Sequence, residues 1–332
     1  MRHIASRVVA LMSLAVMLVA CTGTTASQPP AATGSGVGAS GAAPSQAAAT
    51  PAPMPSTTPG PGDVVYSGRI DIGGGRKLEV RCAGVGSPTI LLEGGGITPS
   101  MDEYPSSFVF DLAKTTTTCQ YSRAGGGMSS APTGPRTMAG LVGDVDAMLA
   151  ALKDQADVQG PYLFVGWSFG GTVALAEALT HPDHTVGLVI LDTDFVAEFI
   201  GNCIKSGRTK ADCEQEYQDD IDAKSLEKEL LPQIHPLPDI PMRIVSAMRF
   251  PECDPSKPDS LKATFDGKMI VAKDCAALAE AYATAQQKGW STVQPELQQI
   301  RVDADHDGLI DQAGKEIEGL ILDLVRAARA NP

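Results

Sequence analysis

The sequence predicts an α/β protein built on a mainly parallel sheet with helices on both faces. Two observations carry this. Runs such as Leu163-Phe164-Val165 and Gly187-Leu188-Val189-Ile190-Leu191 are apolar almost throughout, as strands covered on both faces must be. Between such runs lie segments whose apolar residues recur at three- and four-residue steps, the period of a helix packed by one side.

In chain order, residues 78–82 alternate apolar and polar, the pattern of a half-buried strand. Residues 89–92 and 116–121 read as further strands, bounded by glycine and polar residues. Thr137 stands where it can cap a helix carrying Met138, Leu141, Val145, Met148 and Leu152. The strand at Leu163 follows, then a helix through residues 174–179, then the strand ending at Leu191. Residues 242–247 and 300–302 read as later strands. Ile317, Leu320, Ile321 and Leu324 mark a final amphipathic helix.

The chain has 332 residues, 43% hydrophobic and 20% charged, enough for one large globular domain and additional segments. Its formal net charge of −13 argues against an electrostatic hold on nucleic acid or on an anionic membrane face.

Residues 1–20 read as a signal peptide. Arg2, His3 and Arg7 precede an apolar run over 8–20, shorter than the roughly 20 residues a membrane-spanning helix needs. Leu18-Val19-Ala20-Cys21 resembles a bacterial lipobox. That resemblance implies cleavage before Cys21, diacylation of its thiol, and anchoring at the outer face of the cell membrane. The stretch up to residue 62 is almost wholly Ala, Gly, Ser, Thr, Pro and Gln, which cannot bury enough apolar surface to order itself. Residues 21–62 are therefore expected to be a lipidated tether, and residues 63–332 the folded domain.

Of the seven cysteines, those other than Cys21 are an even set, which in an exported chain suggests disulfides. Sequence leaves their pairing open. Cys203–Cys213 and Cys253–Cys275 are expected as local closures, with Cys82–Cys119 joining neighbouring strands. A zinc site built on these cysteines is disfavoured, because no C-x-x-C pair exists and no histidine lies close to a cysteine.

Between the strand at Leu163 and the next helix stands Gly166-Trp167-Ser168-Phe169-Gly170-Gly171, a G-x-S-x-G in the position of a nucleophile elbow. The serine occupies a sharp turn, and the glycines two positions away let strand and helix approach closely. At a helix start, its hydroxyl also lies where the dipole favours developing negative charge.

With these residues the chain from about residue 63 to 330 resembles the α/β-hydrolase fold family. Pro88-Thr89-Ile90-Leu91-Leu92-Glu93-Gly94-Gly95-Gly96 resembles the family's third strand and oxyanion loop, with Glu93-Gly94 where members often have His-Gly. The resemblance implies the backbone N–H groups of Gly95 and Phe169 as oxyanion donors. Tyr121-Ser122-Arg123-Ala124-Gly125-Gly126-Gly127-Met128-Ser129 resembles the family's Y-D-R-x-G-x-G-x-S turn, Ser122 replacing a structural Asp.

Of five histidines, His306 follows a strand and precedes the last helix, where the family places its base. His3 falls in the signal peptide, His181 and His184 flank a variable surface turn, and His235 lies in a Pro-rich stretch. The acid follows either the sixth or the seventh strand in the family. Asp192 is preferred and Asp254 stays open. Residues 195–241 are expected to form a cap, whose Leu226, Leu230, Leu231 and Ile234 either face an acyl chain or pack on the core.

The implied chemistry is hydrolysis of a small-molecule or lipid ester through an acyl-enzyme at Ser168, with no cofactor. The alternative is a non-catalytic surface lipoprotein that keeps the fold to bind a ligand. Calcium is a candidate, since Asp303-Ala304-Asp305-His306-Asp307-Gly308-Leu309-Ile310 resembles the start of a calcium loop with Asp311 in its ninth position. Gly314 stands where that loop needs its final acidic ligand.

Overall fold

The structure, a computed structural model, describes residues 58–96, 99–193, 239–250, 253–265, 268–291, 294, 296–297 and 299–330. The signal peptide, Cys21, the tether and nearly all of the expected cap, with Cys203 and Cys213, lie outside the described residues.

Ten strands and five α-helices are described: β1 (Val64–Asp71), β2 (Lys77–Ala83), β3 (Thr89–Glu93), α1 (Ser106–Ala113), β4 (Thr118–Ser122), α2 (Met138–Ala156), β5 (Tyr162–Trp167), α3 (Phe169–Thr180), β6 (Thr185–Leu191), β7 (Met242–Arg249), β8 (Lys262–Phe265), β9 (Lys268–Val271), α4 (Cys275–Ser291), β10 (Gln299–Asp305) and α5 (Leu309–Ala330). Eight strands form one sheet in the order β1-β2-β4-β3-β5-β6-β7-β10, and β8 and β9 pair as a separate hairpin. β1 and β2 run antiparallel to their neighbours, and the strands from β4 to β10 in that order are parallel.

Both faces are covered, as the apolar strands require. On one, residues of α2, α3 and α4, including Val145, Met148, Leu152, Val173 and Trp290, pack with Leu91, Phe164 and Leu188. On the other, Phe108 and Leu112 of α1 and Ile317, Ile321 and Leu324 of α5 pack with Ile90, Leu163 and Val189. Thr137 caps α2, its side chain accepting a hydrogen bond from Gly140 N–H. Cys82 and Cys119 are direct partners across β2 and β4 and are disulfide-bonded. A second bridge, Cys253–Cys275, ties the segment after β7 to the start of α4. β4 starts at Thr118, not at Thr116, which lies in the turn after α1 and hydrogen-bonds the Pro88 carbonyl.

In parallel sheets of this kind, ligands bind outside the carboxyl ends of the strands near a switch in strand order. Here β5, β6 and β10 all end at that edge, and Ser168, Asp192 and His306 are the residues that directly follow them.

Candidate active site

The turn from β5 into α3 is held open by what glycine lacks. A Cβ on Gly166 would lie 2.2 Å from the Gly170 carbonyl oxygen, and one on Gly170 would lie 2.3 Å from the Glu93 carbonyl oxygen. The backbone reversal falls on Ser168, at φ 53° and ψ −127°, a conformation few non-glycine residues adopt. Surrounding bonds over-determine it: Ser168 N–H donates to Leu191 O at 2.9 Å, and Ser168 O accepts from Gly171 N–H at 2.9 Å and from the Thr193 hydroxyl at 2.7 Å.

Asp192 also has a positive φ, 45°, which turns its side chain off the end of β6. It is buried, and Oδ1 accepts from Ala247 N–H at 3.1 Å, with Gln286 Nε2 at 3.5 Å. Gln286 is itself fixed by Ser246. The other oxygen, Oδ2, lies 2.7 Å from His306 Nδ1, and His306 Nε2 lies 3.1 Å from Ser168 Oγ. A carboxylate can only accept, so Nδ1 carries a proton and Nε2 is left to accept from the serine hydroxyl. The structure thus joins Ser168, His306 and Asp192 in one chain. Asp254 stands apart, engaged with Ser256 and Lys257.

The turn that presents His306 uses the aspartates suggestive of calcium. Asp303 pairs with Arg249 at 2.6 Å; Asp305 accepts from Gly308 N–H at 2.7 Å and from Gln312 Nε2 at 2.5 Å. α5 begins at Leu309, in the middle of the supposed loop. No three of Asp303, Asp305, Asp307 and Asp311 bring carboxylate oxygens within 4.8 Å of one another.

The loop after β3 carries Gly95, where a Cβ would meet the Trp167 ring at 3.1 Å and Ser168 Cβ at 3.4 Å. Its carbonyls are gripped from below. Arg123 Nη2 donates to Gly94 O at 2.8 Å, Gly95 O at 3.2 Å and Gly96 O at 2.5 Å, while Nη1 pairs with Glu93 at 3.2 Å. The guanidinium lies 5.5 Å from the centre of the Phe169 ring, so one side chain touches both Gly95 and the first residue of α3. Glu93 is fully buried and also accepts from Tyr121 Oη, at 2.7 and 2.9 Å to its two oxygens. Burial pushes its carboxyl up, and Arg123 and Tyr121 pull it back. Beside the loop, burial raises the Glu103 carboxyl above its ordinary value, against the lowering effect of the Gly95 N–H that faces it.

Glu93 and Arg123 are not legible as a unit from the sequence. Glu93 stood out as a departure from the family pattern and Arg123 as part of a turn; nothing linked them across 30 positions. Glu79 reads in the sequence only as a polar position of a strand. Its Oε2 accepts from the Ser122 hydroxyl at 2.9 Å and from Met128 N–H at 2.9 Å, so a carboxylate on β2 serves the turn that lacks its Asp on β4. Glu79 and Ser122 are cross-strand partners, which no local pattern reveals.

Residues 88–221 match the family model described as alpha/beta hydrolase fold. The chain has the α/β-hydrolase fold. Among solved structures, it is similar to alpha/beta hydrolase domain-containing protein 10 from mouse, with 16% identity, TM-score 0.52, and 79% of this chain and 99% of that one covered. It is similar also to the epoxide hydrolase CorEH, at 14% identity, TM-score 0.51 and coverage of 79% and 99%. Proline iminopeptidase of Mycobacterium smegmatis matches at 14% identity and TM-score 0.50, with 79% and 100% covered. At these identities the likeness is one of fold. A comparison with curated protein sequences finds no match.

Proposed function

We propose that this α/β-hydrolase-fold protein is a serine hydrolase of ester-type substrates, working through an acyl-enzyme on Ser168. The observation that carries the proposal is the hydrogen-bonded chain from Ser168 Oγ through His306 to Asp192, at 3.1 and 2.7 Å, hung on a strained turn at the sheet's carboxyl edge. Ser168 Oγ attacks the substrate carbonyl carbon as its proton passes to His306 Nε2, while Asp192 holds the imidazole and stabilises its charged form. Negative charge develops on the carbonyl oxygen and is met by the Phe169 N–H and by the Gly95 N–H, which exchanges the Glu103 carboxyl it faces for the oxyanion; losing one such donor typically costs about 2.7–4 kcal/mol of transition-state stabilisation. The leaving alkoxide takes the proton from His306. Water then attacks the acyl carbon, giving a proton to Nε2, and the carboxylic acid departs as Ser168 is restored.

The test is covalent labelling of the purified full-length chain by a fluorophosphonate, with Ser168→Ala and His306→Ala beside it. Labelling lost in both variants supports an activated serine and opens a screen of ester substrates. A well-folded wild type that does not label would overturn the mechanism.

The site is further proposed to work outside the cell membrane, held by diacylated Cys21, on the strength of the signal-like residues 1–20 and the apolar-poor tether. Metabolic labelling with a palmitate analogue, abolished in Cys21→Ala, is the expected result. Equal labelling of the variant would refute the anchor.

A further inference from the structure

At the far end of α3 from Ser168, Glu177 presents a problem that the proposed reaction does not explain. Its side chain is fully buried, and among the described residues neither carboxylate oxygen has a hydrogen-bond partner. A buried carboxylate left this way is costly, and the remedy is either a proton or a cation. Burial, Glu93 and Asp146 all raise its proton affinity, and among the described residues no cation opposes them.

Two further ligand-type side chains converge on it. Asp146 of α2 and His181, the residue that follows α3, each offer an atom, and these atoms and one oxygen of Glu177 all lie within 4.8 Å of one another. Glu177 and His181 are four positions apart, which places both on one side of the helix end. His181 Nε2 stands 2.9 and 3.0 Å from the two oxygens of Asp146. Two ligand atoms each about 2.1 Å from a metal at near-tetrahedral to right angles are themselves roughly 3.0–3.4 Å apart. The pair is therefore already near the separation that shared coordination needs. Asp146 is about half exposed, which gives an ion a way in, while Glu177 closes the buried side.

We propose that Asp146, Glu177 and His181 form a binding site for a divalent transition-metal ion of the zinc type, clamping α2 to α3. One imidazole with two carboxylates suits Zn2+ better than Ca2+ or Mg2+, which favour larger all-oxygen shells. The site lies about 13 Å along the helix from Ser168, at 1.5 Å per residue. Its role is to fix the helix that carries the nucleophile's turn, and the ion takes no part in the ester chemistry.

The experiment uses the full-length chain stripped with a chelator and then titrated with Zn2+ by calorimetry, with Co2+ absorption as a report of a low-coordinate site. One Zn2+ per chain, a raised melting temperature and visible Co2+ bands are expected. Asp146→Asn and His181→Ala, at partly exposed positions, should weaken binding by more than the roughly 10–100-fold that outer partners cost. Glu177→Gln keeps the shape and should do the same. No uptake by the stripped wild type, or uptake and stabilisation unchanged in the three variants, would overturn the proposal.

Discussion

Arg123→Met is the substitution that most directly tests how the loop beside Ser168 is held. The wild-type guanidinium is 3% exposed and its partner Glu93 is 0% exposed. Removing the cation leaves a buried carboxylate whose remaining hydrogen bonds come from Tyr121. Breaking such a pair from one side costs about 3–5 kcal/mol, a large part of the roughly 5–15 kcal/mol that holds a typical domain together. Glu93→Gln in the same chain removes the stranded charge while still accepting from Tyr121. The double variant should therefore recover part of the loss, with a coupling energy of about 2–3 kcal/mol. Urea unfolding followed by the fluorescence of Trp167 and Trp290 measures all four corners of that cycle. Arg123→Lys separates charge from shape: it keeps a cation opposite Glu93 but cannot fork across three carbonyls. Its stability should stay close to wild type while fluorophosphonate labelling slows by about 10- to 100-fold, less than or near the loss of one oxyanion donor. A coupling energy near zero, or a lysine variant that labels at the wild-type rate, would refute the reasoning.

The choice of acid predicts that Asp192→Asn lowers ester turnover by about 10⁴-fold through the wrong imidazole tautomer. Asp254→Asn should stay within a few-fold, and the same assay on both variants checks it. Ser122→Asp restores the family's residue but sets a second carboxylate against Glu79, so it should destabilise by about 1–3 kcal/mol in urea. Adding Glu79→Ser should recover stability, and a neutral single variant would show that Glu79 does not stand in for the Asp. Burial holds the Glu103 carboxyl above its ordinary 4.5 in the folded chain, so the native state keeps a proton that the unfolded chain has released. That contribution is full below about 4.5 and is lost as pH rises through the folded value. Relative to wild type, Glu103→Gln should thus gain stability as pH rises from 4.5 to neutrality, measured by urea midpoints; parallel curves would contradict the shift.

What could be read from the sequence was what depends on short-range pattern. The β5–α3 turn and the apolar strands β3, β5 and β6 announce themselves within ten residues, and His306 through its place between β10 and α5. β1 gives little sequence signal because an edge strand has little to bury: Ile70 is its one fully buried apolar residue among Val64–Asp71. α4 hid in an alanine- and glutamine-rich run that buries Leu278, Ala279, Ala283 and Trp290 without a strong apolar stripe. Asp192 against Asp254 was undecidable by chain position, because both follow strands; the positive φ at Asp192 and the Ala247 N–H across β7 distinguish them in space.

Glu93 and Ser122 are the two departures from the family pattern, and their surroundings account for both. A carboxylate at 93 would wreck an apolar site if left alone, but it lies between Tyr121 and Arg123 on the neighbouring strand and its turn. The charge on Glu93 keeps that guanidinium beneath the loop, where its second nitrogen binds three successive carbonyls. Each of those carbonyls belongs to a peptide plane whose N–H points broadly the other way. Fixing Gly94 O therefore also fixes the Gly95 N–H, which faces Glu103 at rest and is proposed to meet the oxyanion. Ser122 in turn gives up a charge that Glu79 provides from the adjacent strand, so the turn carrying Arg123 keeps its anchor. The two changes form one compensated structure beneath the loop beside Ser168.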